Sequence, residues 1–359
     1  MECNGRRDEG FFIPPVSTRS RPIRRYRSSY ESLPSIRSAK RHEERHRVTQ
    51  SVASVTVAYN GALVLPRQLD ALKRQTRPLQ EIVVVDNGSA DDTIALLAEH
   101  YPDVTVLRMP ENVGIGGALA MGLVYAALEK RYDWVWTFDG DSVPADDALQ
   151  ILLEGTESLG VAGSEVGMAA ALPVHKETGA CYQPLLWRDG FVKPSVELLR
   201  QAIWFADLVI GSGCMVRREV VEKIGLPRTD FFIDFVDFEY CLRARSHGYK
   251  IAVIARAKVA HEIGRARKVW LPGNSRVWPD HAPFREYYMS RNLVYAAWWL
   301  YPSHGAKRFA MRHLARHAGG VLLFGSNKMA CLTRMVQGFF DGLQANLGIR
   351  FRPDSSVVR

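Results

Sequence analysis

One run constrains this chain more than any other: Trp134-Val-Trp-Thr-Phe-Asp139-Gly140-Asp141, an apolar strand-like stretch ending in two aspartates one residue apart. Carboxylates at the open end of a buried strand are costly unless a cation meets them. Hard divalent ions such as Mg²⁺ or Mn²⁺ prefer oxygen ligands and commonly share them with phosphates. The expected partner of these acids is therefore a divalent metal carrying a nucleotide diphosphate. Asp-x-Asp is a frequent pattern, so its neighbours set its meaning.

Two further strand-like runs precede it, each ending in polar residues. Ser54-Val-Thr-Val-Ala58-Tyr59-Asn60 leads into a helical pattern with Leu65, Leu69 and Leu72 on one face. Glu81-Ile-Val-Val-Val-Asp86-Asn87-Gly88-Ser89 leads into Asp91, Asp92, Thr93 and the periodic Ile94, Leu97 and Ala98. Ser89, three residues before Asp92, reads as a helix N-cap. A short strand at Val104–Leu107 follows, and Asn112-Val-Gly114-Ile-Gly116-Gly117 opens a helix to about Lys130. Strand, loop and helix in alternation predict an α/β fold, a parallel sheet with helices on both faces. Ligands of such sheets sit outside the carboxyl ends of the strands, where Asn60, Asp86, the Asn112 loop, Asp139 and Asp141 all fall. The glycine run is not a dinucleotide fingerprint, because the first strand–helix turn lacks G-x-G-x-x-G.

Val-Val-Val-Asp86-Asn-Gly-Ser-x-Asp91-x-Thr, Glu-Asn112-x-Gly114 and Phe-Asp139-x-Asp141-Ser, taken in order, resemble the nucleotide-sugar half of the family 2 inverting glycosyltransferases. The resemblance runs from about residue 51 to 300 and implies the GT-A fold, a Rossmann-like, mixed but mainly parallel sheet with added C-terminal helices. It implies that Ala58 and Asn60 line the nucleotide pocket, that Asp86 bonds the base or ribose, and that Gly114 borders the donor. It implies that Asp139 faces ribose or metal and that Asp141 binds Mg²⁺ or Mn²⁺ directly. Many relatives carry Asn where this chain has Ala120.

A second constellation places Asp234, Asp237 and Glu239 among Phe231, Phe232, Phe235 and Phe238, and turns helical from about Val236 with Gly248 as its stop. An acid near a helix N-terminus is held ionised by the dipole, the state a base needs. The stretch resembles the family's Glu-Asp-x-Asp-x-Cys-x-Arg segment. Alignment on Cys241 and Arg243 makes Asp237 the catalytic base and Glu239 the second acid, toward the acceptor, with Val236 in place of the commoner preceding acid. Alternatively, these acids cap the helix and pair with Arg243 or Arg245. One base suffices for inversion, because the leaving nucleotide diphosphate needs charge stabilisation rather than a proton donor.

His261, 24 residues after Asp237, stands where the family has a metal-ligating histidine. Arg265, Arg267 and Lys268 follow and could reach the diphosphate from a loop, or simply be solvated. Arg285-Glu-Tyr287-Tyr288-Met-Ser-Arg291-Asn292 resembles the family's Tyr-Tyr-x-x-Arg-Asn segment, and Arg291 suits a bidentate pairing with phosphate; aromatic packing is the other use for it. Trp204 and Gly211-Ser-Gly213 resemble the loop leading to the acceptor.

Five cysteines without a paired framework suggest reduced thiols, and no signal-peptide pattern opens the chain, so a cytoplasmic enzyme is expected. Residues 1–49 hold 12 Lys/Arg against 6 Asp/Glu and residues 305–359 hold 9 against 2, while the remainder holds 26 against 30. A slightly acidic core does not suit a nucleic-acid partner. The division expected is a disordered basic tail at 1–49, a catalytic domain at 50–300 and a helical extension at 301–359. The extension mixes aromatic and basic residues without a run long enough to span a bilayer, which fits peripheral contact with the inner face of the cell membrane or a homo-oligomer contact.

The resulting expectation is a metal-dependent enzyme moving a sugar from a dTDP or UDP donor to a glycan or lipid-linked acceptor. The forms of the two acidic motifs lean towards rhamnosyltransferase-like members, with galactofuranosyl transfer from a UDP donor as the rival. A sugar-nucleotide nucleotidyltransferase would want a glycine-rich basic loop after the first strand, which Tyr59-Asn60-Gly61 is not. A non-catalytic sugar-nucleotide binder would need neither Asp141 nor Asp237.

Overall fold

The computed structural model describes residues 50–175, 181–261, 266–271 and 274–353. The tail at 1–49 and Arg265 lie outside the described residues, and of Arg267 and Lys268 only the backbone, in a strand, is described.

The first half alternates as the sequence predicts: β1 (Val52–Ala58), α1 (Leu65–Lys73), β2 (Glu81–Asp86), α2 (Thr93–His100), β3 (Thr105–Arg108), α3 (Gly114–Leu123) and β4 (Trp134–Asp139). β1 lies between β2 and β4, β3 pairs with β2, and all four strands run parallel. The cause is visible in the strands. Val55, Val57, Val83, Val85 and Val135 face one core with Ala118 and Leu123 of α3. Val84, Trp134, Trp136 and Phe138 face the other core with Leu65, Leu69 and Leu72 of α1. A strand apolar on both faces is stable only when helices cover both.

The second half departs from that pattern. It contains β5 (Val143–Pro144), α4 (Ala148–Ser158), β6 (Val166–Val174), β7 (Leu186–Trp187), β8 (Phe191–Val192), α5 (Val196–Leu199), β9 (Ile203–Ala206), β10 (Cys214–Arg217), α6 (Arg218–Ile224), α7 (Val236–Ser246) and β11 (Lys250–Ala260). The main sheet runs β3-β2-β1-β4-β10-β6-β11-β5, with β9 also on β11. β10 is antiparallel to β4 and β6, and β11 is parallel to β6 but antiparallel to β5 and β9. The sheet is thus more evenly mixed than the alternation of the first half suggests.

A hairpin, β12 (Ala266–Leu271) and β13 (Asn274–Pro279), precedes α8 (Pro283–Tyr295), α9 (His304–Phe324) and α10 (Lys328–Leu343). α10 lies along α8, with Tyr287 donating to Asp341 at 2.6 Å, and Tyr288 donates to the Phe351 carbonyl at 2.8 Å. Arg352 then reaches Glu111, at the β3–α3 loop, at 2.6 Å. Among the described residues no helix is long and apolar enough to cross a membrane. The outward side of α9 nevertheless exposes Met311, Leu322 and Leu323 alongside Arg308, Arg312 and Arg316.

Candidate active site

Parallel register brings the first acids together: Ala58 stands opposite Asp86, and Val57 opposite Asp139. The loops beyond β1 and β2 are then stitched to each other. The Asn60 amide donates to Ser89 Oγ at 2.9 Å, the Ala90 amide donates to Asn60 Oδ1 at 2.8 Å, and Gly61 donates to Thr93 Oγ1 at 2.9 Å. Asp86 is buried and accepts the Ser89 amide at 3.3 Å. Ser89 is therefore a loop tie rather than the N-cap its spacing suggested; α2 starts after Asp92 without a side-chain cap.

At the end of β4, Asp139, Asp141 and His261 each offer a ligand atom within 4.8 Å of the others. His261 follows β11, whose pairing with β5 carries it back to the Asp141 turn. Its Nδ1 lies 2.7 Å from Ser142 Oγ and 3.3 Å from Asp141, and its Nε2 lies 3.9 Å from Asp139. Ser142 also accepts the Ser212 hydroxyl at 2.6 Å, and Ser212 accepts the Asp139 amide at 3.1 Å. Gln68 of α1 fixes the turn from beneath, donating to the carbonyls of Asp139 and Ser142 at 2.6 and 2.7 Å. Burial raises the Asp139 carboxyl above its ordinary value; His261 and Arg285 oppose that rise, and Asp141 adds to it. Burial works against a charged His261, but Asp141 and Asp139 outweigh it and raise its pKa.

Asp237 sits in the first turn of α7 and accepts the Gly211 amide at 3.2 Å and the Phe238 amide at 2.9 Å. Burial pushes its carboxyl up to about 6; those two amides temper the rise, and the charges of Asp139 and Asp234 add to it. Asp141 and His261 border a groove of about 430 Å³ against Val64, Arg67 and Arg74. Asp237 lines a separate hollow of about 20 Å³ with Thr137 and Cys214. Two adjacent residues nevertheless join the acids: Gly211 holds the Asp237 carboxylate while Ser212 holds the backbone of Asp139. Four carboxylates, Asp139, Asp141, Asp234 and Asp237, share this region with the cations His261 and Arg285. Arg67 and Arg74 line the groove beside Asp141 and His261, which with Asp139 form the group that could hold a metal ion.

The model of the family described as Glycosyl transferase family 2 matches residues 54–225. The chain is 25% identical to the dTDP-rhamnosyl transferase RfbF of Shigella flexneri over 305 residues, covering 84% of this chain and 98% of that protein. It is 27% identical to the galactofuranosyltransferase GlfT1 of Mycobacterium tuberculosis over 254 residues, 69% of this chain and 82% of that one. Together these matches support the chain as a family 2 glycosyltransferase. Its fold is that of S. aureus TarS 1–349 in complex with UDP, at a TM-score of 0.53 and 13% identity over 82% of this chain and 83% of that one. It is also that of GalNAc-T7 with UDP, GalNAc and Mn²⁺, at 0.53 and 17% over 82% and 56%.

Several residues expected in the site of this glycosyltransferase stand elsewhere. Arg291 is fully buried and spends its nitrogens on Asn292 and on the carbonyls of Asp230, Phe231 and Gly348, so it cannot hold a phosphate. With Asn292, which donates to the carbonyls of Phe231, Ile233 and Asp234, it braces the loop before α7. That loop needs bracing, because Phe232, Asp234 and Phe235 all take positive φ, at 66°, 61° and 65°. Glu239 is buried in a two-bond pairing with Arg243 at 3.0 and 2.9 Å, so it stabilises α7 instead of meeting an acceptor. Trp204 is a core residue on β9, 1% exposed, with no face for a sugar. Gly213, at φ 83°, links β4 to β6 through Thr137 and Ala171, and a Cβ there would meet Val259 at 2.9 Å. Gly114, at φ 81°, serves the close approach of α3 to Phe232, whose carbonyl would lie 2.3 Å from an added Cβ. Ala58 buries its side chain and leaves its carbonyl to the Asn87 amide.

Asp234, Ser142, Ser212 and Arg285 stand in the motifs quoted above without the contacts seen here, and the sequence does not single out Gln68. Ser142 closes the Asp139-x-Asp141-Ser motif, but its tie to His261 shows only in the structure. Nothing in the pattern around Gln68 distinguishes it from any buried helical position.

Proposed function

We propose that this glycosyltransferase moves a sugar, rhamnose foremost, from a nucleotide-diphosphate donor to a hydroxyl of a glycan or lipid-linked glycan, with inversion and with Mg²⁺ or Mn²⁺. One observation carries the reading: the Asp139–Asp141–His261 triad and Asp237 are tied together through the Gly211–Ser212 pair. Two carboxylates and an imidazole form a donor set that suits a divalent ion. Because Ser142 occupies Nδ1 of His261, Nε2 is the ring atom free to face the ion. A bound ion would neutralise charge developing on the leaving diphosphate. Asp139 and Asp141 would hold it, and Asp86 with the stitched Asn60 loop would orient the nucleoside. Asp237, steadied by two amides, would accept the proton of the attacking hydroxyl. A single base on the side opposite the leaving group gives inversion, whereas retention through a covalent intermediate would need a nucleophile as well.

The names of the relatives, a dTDP-rhamnosyl transferase and a galactofuranosyltransferase, support these donors and leave UDP-galactofuranose as the rival. The apolar and arginine-bearing outer side of α9 supports an acceptor presented at an anionic lipid surface. A panel of dTDP-rhamnose, UDP-galactofuranose and UDP-GlcNAc, each with a soluble and a lipid-linked acceptor, tests the reading. Transfer is expected from dTDP-rhamnose with Mn²⁺ or Mg²⁺ and to be lost in EDTA. A preference for UDP-galactofuranose replaces the sugar; full activity in EDTA removes the metal.

A further inference from the structure

We propose that Arg285 is the side chain that receives the β-phosphate of the donor, and that Asp234 sets its direction; the assignment rests on the donor reading above. Arg285 opens α8, and one edge of its guanidinium is fixed. Nε lies 3.1 Å from both Asp234 oxygens and Nη2 lies 3.0 Å from Oδ1. The remaining nitrogen, Nη1, has no hydrogen-bond partner among the described residues, and the side chain keeps 30% of its surface exposed. Asp234 is itself immobilised, since Asn292 holds the carbonyls of Ile233 and Asp234 at 2.9 and 2.8 Å. A guanidinium pinned along one edge and open along the other is pre-set for an incoming anion, because little freedom is left to lose on binding.

Its surroundings say which anion. The charge of Arg285 acts on Asp139, Asp237 and His261, so it lies near enough to both the triad and the proposed base to influence each. A ligand placed there must bring its own cation to the carboxylates while offering an anion to Arg285. A nucleoside diphosphate with its divalent ion does both. Arg291, six residues on, shows the contrast: it has no surface and no spare nitrogen.

Calorimetric titration of the full chain with UDP and UMP, and with dTDP and dTMP, all with Mn²⁺, tests the assignment. The wild type is expected to prefer the diphosphates. Arg285→Gln should weaken UDP and dTDP by roughly 10- to 100-fold, as for loss of a charge-assisted bond, and leave UMP and dTMP within about threefold. Arg285→Lys should restore part of the diphosphate affinity. Should Arg285→Gln alone unfold because it strands Asp234, the paired Asp234→Asn/Arg285→Gln variant removes both charges and is expected to show the same selective loss. An equal loss for mono- and diphosphates, or none, overturns the role of Arg285 and leaves the donor reading standing. A wild type that takes up no nucleotide takes both down together.

Discussion

The two halves of this site present their acids by different means. At the ends of β1, β2 and β4, parallel register does most of the work: once the strands pair, Asp86 and Asp139 come to one edge, and side chains only trim the turns. Asp237 has no such support. It follows a loop with three non-glycine residues at positive φ, and that loop holds its shape because Arg291 and Asn292 occupy its carbonyls from a distant helix. α10 in turn packs on that helix, so the C-terminal segment supports Asp237, the proposed base, without approaching it. A strand tip is fixed by the fold, whereas a strained loop must be fixed by side chains.

That contrast can be broken at either half. The largest effect is expected at the base: Asp237→Asn should lower transfer by about 10³-fold, in the range of a lost general base, read as initial rates. Wild-type transfer should rise with pH through about 6 as this carboxyl ionises, and the variant should lack that rise. The sign for stability is opposite. A carboxyl whose folded pKa is raised favours the folded state when protonated, so its contribution is present at low pH and lost as pH rises through about 6. Asp237→Asn should therefore gain thermal stability over wild type at pH 8 and not at pH 4. A smaller effect on activity and a larger one on folding are expected at the brace. Arg291→Met leaves several buried carbonyls unpaired and should cost on the order of 3 kcal/mol, measured by denaturant unfolding. The folded fraction should keep its nucleotide affinity, and a selective loss of that affinity would return Arg291 to the donor pocket.

The first half was readable for the same reason that it is robust. Apolar strands ending in Asp86 and in Asp139–Asp141 announce both the elements and the acids, and His261 was reached through the resemblance. The second half was read less well, because burial cannot be seen in a motif. Glu239, Arg243, Arg291 and Asn292 carry polar groups that would suit substrates, yet the structure spends them on one another and on backbone carbonyls. Trp204 looked available and is a core residue of a strand the alternation did not suggest. Conversely, Arg285 stands in the sequence only as the residue opening the Arg285–Asn292 segment, and only its pairing with Asp234 shows that one edge is held.

The most direct test of one metal triad working across from one base is Mn²⁺-dependent nucleotide binding in Asp141→Ala and Asp237→Asn, measured side by side with transfer. Asp141→Ala is expected to lose the metal-dependent part of dTDP and UDP binding along with transfer. Asp237→Asn is expected to bind as the wild type does and fail only to transfer. Transfer near the wild-type rate by Asp237→Asn, or unchanged metal-dependent binding by Asp141→Ala, would contradict it.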